Sequence, residues 1–180
     1  LTATTAQSRP IRVNAFELNN GRLAQVGIST RADLAGAAPI WVDLIAPSRT
    51  ERQWVKDIFG LVLPDTDDLT DLEESARFYI EEDGEVHLHS DFLLDTETES
   101  RNVPVALILH KNILFTVRDE ELPVFRLQRL RARIQPGYVS DGTDLLRLRP
   151  AEMRDRRGRD IGMIFQDPLS SLNPVIPIGL

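Results

Sequence analysis

Residues 102–125 read NVPVALILHKNILFTVRDEELPVF, and this stretch decides the fold. Two apolar runs of strand length, Val103 to His110 and Ile113 to Arg118, flank Lys111-Asn112 and are expected to pair as a hairpin. Pro104 stands near the start of its strand, where a missing backbone donor is tolerated. From Leu122 the period lengthens to that of a helix. Leu127, Leu130 and Ile134 form one apolar stripe, Arg126, Arg129 and Arg133 take other faces, and Pro136-Gly137 stops the helix.

Toward the amino terminus, Arg77 to Glu82 and Glu85 to Leu94 read as a second hairpin across Asp83-Gly84. A short helix is expected from Asp65 or Thr66 to Ser75, its acids gathered early where the helix dipole favours them. Before it, Ser48 and Glu51 form a capping-box pair, and Trp54, Val55, Ile58 and Phe59 make one apolar face ending at Gly60. Ile40 to Ile45 is a continuous apolar run broken only by Asp43, which suits a buried strand. Ile11 to Leu18 and Arg22 to Gly27 flank Asn19-Asn20-Gly21 as an opening hairpin. Trp41 and Trp54 fall on apolar faces and are expected in the core. Strands and helices in segregated runs predict an α+β layered sandwich with a largely antiparallel mixed sheet, not a doubly wound parallel sheet.

The whole chain has 180 residues, enough for one domain and a short appendage. No cysteine occurs, which removes disulfides, thiolate zinc sites and cysteine nucleophiles. No run reaches the eighteen or so apolar residues of a membrane span, and the first ten residues read as a flexible, polar start and not as a signal peptide. Net charge is −7, unevenly spread: residues 65–99 carry fourteen Asp and Glu against a single Arg, Arg77. Such a stretch argues against nucleic acid, whose phosphates it repels, and suits divalent cations.

Four segments carry a family resemblance. They are WVDLIAPSRTERQWV (41–55), FGLVLPDTDDLTDLEESARFY (59–79), the opening stretch 102–125, and RARIQPGYVSDGTDLL (131–146). In this order they resemble the amino-terminal cytoplasmic domain of the CorA family of divalent-cation transporters, over about residues 11–141. The resemblance implies an α/β/α sandwich on the cytoplasmic side of the bacterial inner membrane, in a homopentamer moving Mg²⁺, Co²⁺ or Ni²⁺. A related branch of the family moves Zn²⁺. It further implies binding and gating without catalysis, with Mg²⁺ (or Co²⁺ or Ni²⁺) held weakly by acidic residues between subunits. The family's pore helices and Gly-Met-Asn loop do not occur in these residues. On this reading the 180-residue chain is soluble, and the membrane is a partner only through those helices.

Residues 142–180 read differently. Their sequence, GTDLLRLRPAEMRDRRGRDIGMIFQDPLSSLNPVIPIGL, resembles the Q-loop region of a peptide-type ABC transporter ATP-binding subunit, with Gln166 in the place of the loop glutamine. No GxxxxGK[ST] stands upstream, so no phosphate cradle is expected, nor ATP binding or hydrolysis. A helical extension followed by a partly irregular tail is expected there.

Three groups are candidates for binding. Asp65, Asp67, Asp68, Asp71 and Glu74, with Glu73 beside them, offer oxygen ligands to a divalent cation but lack EF-hand spacing; the alternative is a solvated helix face. His87, His89 and Asp91 alternate along one strand face and could ligate Zn²⁺ or Co²⁺; the alternative is a polar, solvent-facing strand edge. The cluster Arg126, Arg129, Arg131 and Arg133 suits phosphates or an anionic membrane surface, or else pairs with the acidic segment within or between subunits. His110, alone at its hairpin, is given no role.

Overall fold

A computed structural model describes residues 12–65, 69, 77–82, 84–95, 100–137 and 139–142. The chain divides into two compact units, residues 1–148 and 149–180, and the second lies wholly outside the described residues. The helix expected from Asp65 or Thr66 to Ser75 lies outside them as well, apart from Asp65 and Leu69.

Among the described residues of the first unit, seven strands and three helices follow one another: β1 (Val13–Asn19), β2 (Arg22–Gly27), α1 (Arg31–Gly36), β3 (Trp41–Ile45), α2 (Arg49–Phe59), β4 (Phe78–Ile80), β5 (Val86–Asp95), β6 (Ser100–His110), β7 (Ile113–Arg118) and α3 (Pro123–Ile134). The strands form one sheet in the order β2-β1-β3-β7-β6-β5-β4. Every neighbouring pair is antiparallel except β3–β7, which runs parallel with Trp41 opposite Leu114 and Ile45 opposite Arg118. The opening hairpin, the hairpin across Lys111-Asn112 and the mixed sheet are thus as the sequence predicts.

Local chemistry explains the helix boundaries. Ser48 caps α2: its hydroxyl accepts from the Glu51 N–H, while the Glu51 carboxylate accepts from the Ser48 N–H at 2.7 Å. Gly60 closes the same helix in the left-handed region, at φ 79°. Helix α1, which periodicity does not reveal, is six residues long and rests on a second capping box between Thr30 and Asp33. Backbone N–H groups of Ser29 and Thr30 hold the Asp33 carboxyl below the usual range. Pro123 occupies the first turn of α3, where its missing N–H costs nothing.

Strand alternation sorts the core into two layers. Val13, Ala15, Val42, Leu44, Ile108, Phe115 and Val117 pack with Leu34 of α1 and Val55 of α2. Phe16, Leu23, Trp41, Val105 and Leu114 pack on the other face with Phe125 and Ala132 of α3. The result is an α/β/α sandwich. Trp41 stacks on Phe16 at 4.9 Å between ring centroids and is fully buried, whereas Trp54 only borders its layer.

The stripe on α3 turns away from this core. Leu127, Leu130 and Ile134 are 38%, 52% and 62% exposed, and the helix instead rests on Phe125, Ala132 and the half-buried Arg129. At 100° per residue the stripe lies diametrically opposite the packed face. Helical period alone cannot tell one apolar arc from the other.

Candidate functional site

Of the acidic candidates, Asp65 is described and Asp67, Asp68, Asp71 and Glu74 lie outside the described residues. The Asp65 carboxylate is 66% exposed and stands 3.5 Å from Nη2 of Arg52. Arg52 also donates from Nη1 to the Pro64 carbonyl at 2.6 Å, so α2 anchors the start of the acidic stretch. Gln166 likewise lies outside the described residues.

His87 and His89 do share one face of β5, as their spacing requires, but that face is not a solvent edge. They are 5% and 8% exposed, packed on the side of the sheet that carries α1 and α2. Their rings stand 6.1 Å apart, edge to face, and Tyr79 of β4 stacks on His87 at 4.5 Å. Nε2 of His87 lies 2.6 Å from one oxygen of Glu85, and Nδ1 of His110 meets the other. His110 continues to the Phe59 carbonyl at the end of α2, 3.0 Å from its Nε2, and Lys111 donates to the same oxygen at 3.3 Å. One carboxylate therefore joins the start of β5, the β6–β7 hairpin and the end of α2. Asp91 belongs to a different contact, accepting from Arg77 at 3.1 Å. Hence the structure does not bring His87, His89 and Asp91 to one point. His110 does have a place in the fold, contrary to the sequence reading. Among the described residues no group of three or more His, Asp or Glu side chains is arranged to hold a metal ion.

Burial and the carboxylates of Glu81 and Glu85 push the Tyr79 phenol above its ordinary value, burial being the larger cause. At the far end of β6, Arg101 donates to both oxygens of Glu120, and those hydrogen bonds hold the Glu120 carboxyl below the usual range.

The strongest charge arrangement lies on the α3 face, and sequence reasoning missed it. Asp43 and Arg118, neighbours across the parallel β3–β7 pair, are both fully buried. Asp43 takes two hydrogen bonds from Arg118 (Nη2 at 3.1 Å) and one from Arg129 Nη1 at 2.8 Å. It also accepts from the Thr116 hydroxyl at 2.6 Å, and that hydroxyl accepts from the Trp41 indole at 3.0 Å. Glu121 completes the group, 2.8 Å from Arg129 and 3.4 Å from Arg118. The Arg118 guanidinium lies over the Phe125 ring, 4.1 Å from its centroid. Arg129 thus pairs with Asp43 and Glu121. The signal that could have found this network is Asp43 itself, the one acid in an otherwise apolar strand buried on both faces. A charge so placed needs partners on the covering helix.

Among the described residues the buried charges of Asp43 and Arg118 are tied to one another and to Arg129, and serve packing. Comparisons with known proteins supply the rest. The profile of the CorA-like Mg²⁺ transporter protein family matches residues 36–148. A magnesium transport protein CorA from Pectobacterium atrosepticum is 38% identical over 168 residues, 93% of this chain and 52% of the relative. One of the same name from Pasteurella multocida is 44% identical over 124 residues, 68% of this chain and 38% of the relative. The chain therefore spans about half the length, or less, of the curated relatives it matches. Among solved structures, the ZntB cytoplasmic domain from Vibrio parahaemolyticus superposes with a TM-score of 0.54 at 16% identity, covering 76% of this chain and 55% of that one, which establishes a shared fold. These comparisons lend no support to the ABC-transporter likeness of residues 142–180. Among the described residues no helix is long and apolar enough to cross a membrane. With its profile spanning more than half of the residues and its α/β/α sandwich in place, the chain belongs to the CorA-like Mg²⁺ transporter family.

Proposed function

We propose that this chain is the cytoplasmic, metal-responsive domain of a CorA-type divalent-cation transporter, working by binding and gating and not by catalysis. The observation that carries the reading is the concentration of fourteen Asp and Glu against one Arg within residues 65–99 of a chain of this family. Carboxylate oxygens are hard ligands suited to Mg²⁺. Divalent ions then neutralise facing acids and hold an assembly of subunits together; their loss lets like charges repel and loosens it. Asp65, exposed beside Arg52, is the described member of the acidic candidates Asp65, Asp67, Asp68, Asp71 and Glu74.

A thermal melt in Mg²⁺ at matched ionic strength, with light scattering on the same samples, tests this. The expected outcome is a rise in Tm together with a larger species, because an ion that binds only the native assembly stabilises it by mass action. An unchanged melt and an unchanged mass in Mg²⁺, beyond what an equal ionic strength of NaCl produces, rules the reading out. Parallel samples in Co²⁺ and Zn²⁺ rank the cations.

A further inference from the structure

We infer that the concavity between the β1–β2 turn and the end of α3 binds a small organic anion bearing a phosphoryl group. This goes beyond the metal-responsive reading and does not depend on it. The cavity measures about 730 Å³ and opens to solvent. That volume falls within the range of small-molecule sites and exceeds what a bare inorganic ion fills. Its polar lining comes from Arg22, Arg133 and the carboxamides of Asn19, Asn20 and Gln25, with the buried Leu23 beside them; among the described residues no carboxylate lines it.

Carboxylates outnumber cations, 28 to 21, and the guanidinium groups of Arg31, Arg52, Arg77, Arg101, Arg118 and Arg129 each meet one. Arg12, Arg22, Arg49, Arg126 and Arg133 meet none among the described residues, and of these five Arg22 and Arg133 line the concavity together. Arg133 stands in the last turn of α3, where a cation complements the helix dipole, so alone it signifies little. Arg22 begins the edge strand β2, where an exposed cation is ordinary as well, so what marks the two is that they line one concavity. Two planar forks of N–H donors match the oxygens of a phosphoryl group, each in bidentate fashion. Gln25 donates its Nε2 to Asn14 at 2.8 Å, which leaves its carbonyl oxygen to accept from a ligand hydroxyl.

The walls are also held. The Gly137 N–H donates to the Gly21 carbonyl at 2.8 Å, locking the β1–β2 turn to the turn after α3. A Cβ at Gly21 would sit 3.3 Å from the Gly137 nitrogen, a tight contact, so the two backbones approach closely here. Ala132, beside Arg133, is buried against the sheet and fixes the helix end.

The test uses the full 180-residue chain at constant ionic strength, titrated with pyrophosphate by calorimetry, and in parallel sedimented with phosphatidylglycerol vesicles or phosphatidylcholine controls. Saturable pyrophosphate binding is expected, weakened about tenfold or more by R22A and by R133A, since each removes charge-assisted hydrogen bonds. R126A, an exposed arginine of α3 outside the cavity, is expected to bind as the unmodified chain does. Retention on phosphatidylglycerol vesicles that depends on Arg22 and Arg133, without pyrophosphate binding, assigns the phosphoryl group to a lipid headgroup. Absence of both, or binding that R126A weakens as much as R22A does, overturns the inference.

Discussion

Replacing Asp43 by Asn keeps the shape of the side chain and removes its charge, which isolates what the carboxylate does. Arg118 is fully buried and takes its countercharge chiefly from Asp43, since Glu121 lies farther away at 3.4 Å and is itself largely exposed. The new amide would present N–H donors toward two guanidinium groups that also only donate. Losing one partner of a buried pair while the other stays charged costs about 3–5 kcal/mol. Arg129 is partly exposed and can turn to water, so its own contribution is small. For a chain of this size that loss corresponds to a fall in Tm of roughly 10 °C. Urea unfolding followed by tryptophan fluorescence measures it, with Trp41 reporting directly because its indole is bonded to Thr116, the donor to Asp43. A loss below about 1 kcal/mol for D43N would refute the reasoning, since it would mean that Arg118 is solvated or compensated elsewhere. The double variant D43L/R118M should recover much of the loss, because a packed apolar pair leaves no charge stranded.

Further outcomes can be checked singly. The chain has two tyrosines, and in a Y138F background the remaining phenol, Tyr79, should ionise only above pH 10 in the folded state. A folded value above the unfolded one means its contribution to stability is complete below pH 10 and is lost as pH rises through the folded value; Y79F should lessen that alkaline decline. A phenolate absorbance change centred at or below pH 10 would show that burial and the neighbouring acids do not act as described. At Gly142 an added Cβ would strike the Asn112 carbonyl and approach the Leu114 nitrogen at 2.6 Å and the Ile40 oxygen at 2.7 Å, all main chain. G142A should therefore cost about 1–3 kcal/mol by overpacking, whereas G36A, which meets nothing within 4 Å, should leave Tm nearly unchanged. Equal melting temperatures for the two would count against the close packing at Gly142.

Much of the fold is legible in the sequence because its signals are local. Ser48 with Glu51, Gly60 and the two-residue turns at Asn20-Gly21 and Lys111-Asn112 each carry their own backbone requirement, the turn residues all standing at positive φ. The six residues of α1 are too few to show a period, and only the Thr30–Asp33 pair marks them. The exposed stripe of α3 shows the opposite limit: Leu127, Leu130 and Ile134 obey the helical period while facing away from the core. The site is harder to read than the fold. His87 and His89 share a face as alternation demands, yet their surroundings come from Glu85, Tyr79 and, through Glu85, His110, which only the sheet register brings together. Asp43, Arg118 and Arg129 are spread over 86 positions, and no spacing rule reaches that far.

The parallel β3–β7 pair has a consequence for how the molecule assembles. It is the single seam between two antiparallel meanders, β2-β1-β3 and β7-β6-β5-β4, each of which pairs only with near neighbours in the chain. The seam joins residues 73 positions apart, and closing a loop of that length costs about 4 kcal/mol of chain entropy before any contact is made. A nascent chain can therefore fold each meander as it emerges, but the halves cannot join until Arg118 has left the ribosome. The Asp43–Arg118 pair straddles this very seam and ties its two strands together in the finished sheet. Two chains emerging side by side present identical open seams, and exchange of halves between them is the misassembly this topology most invites.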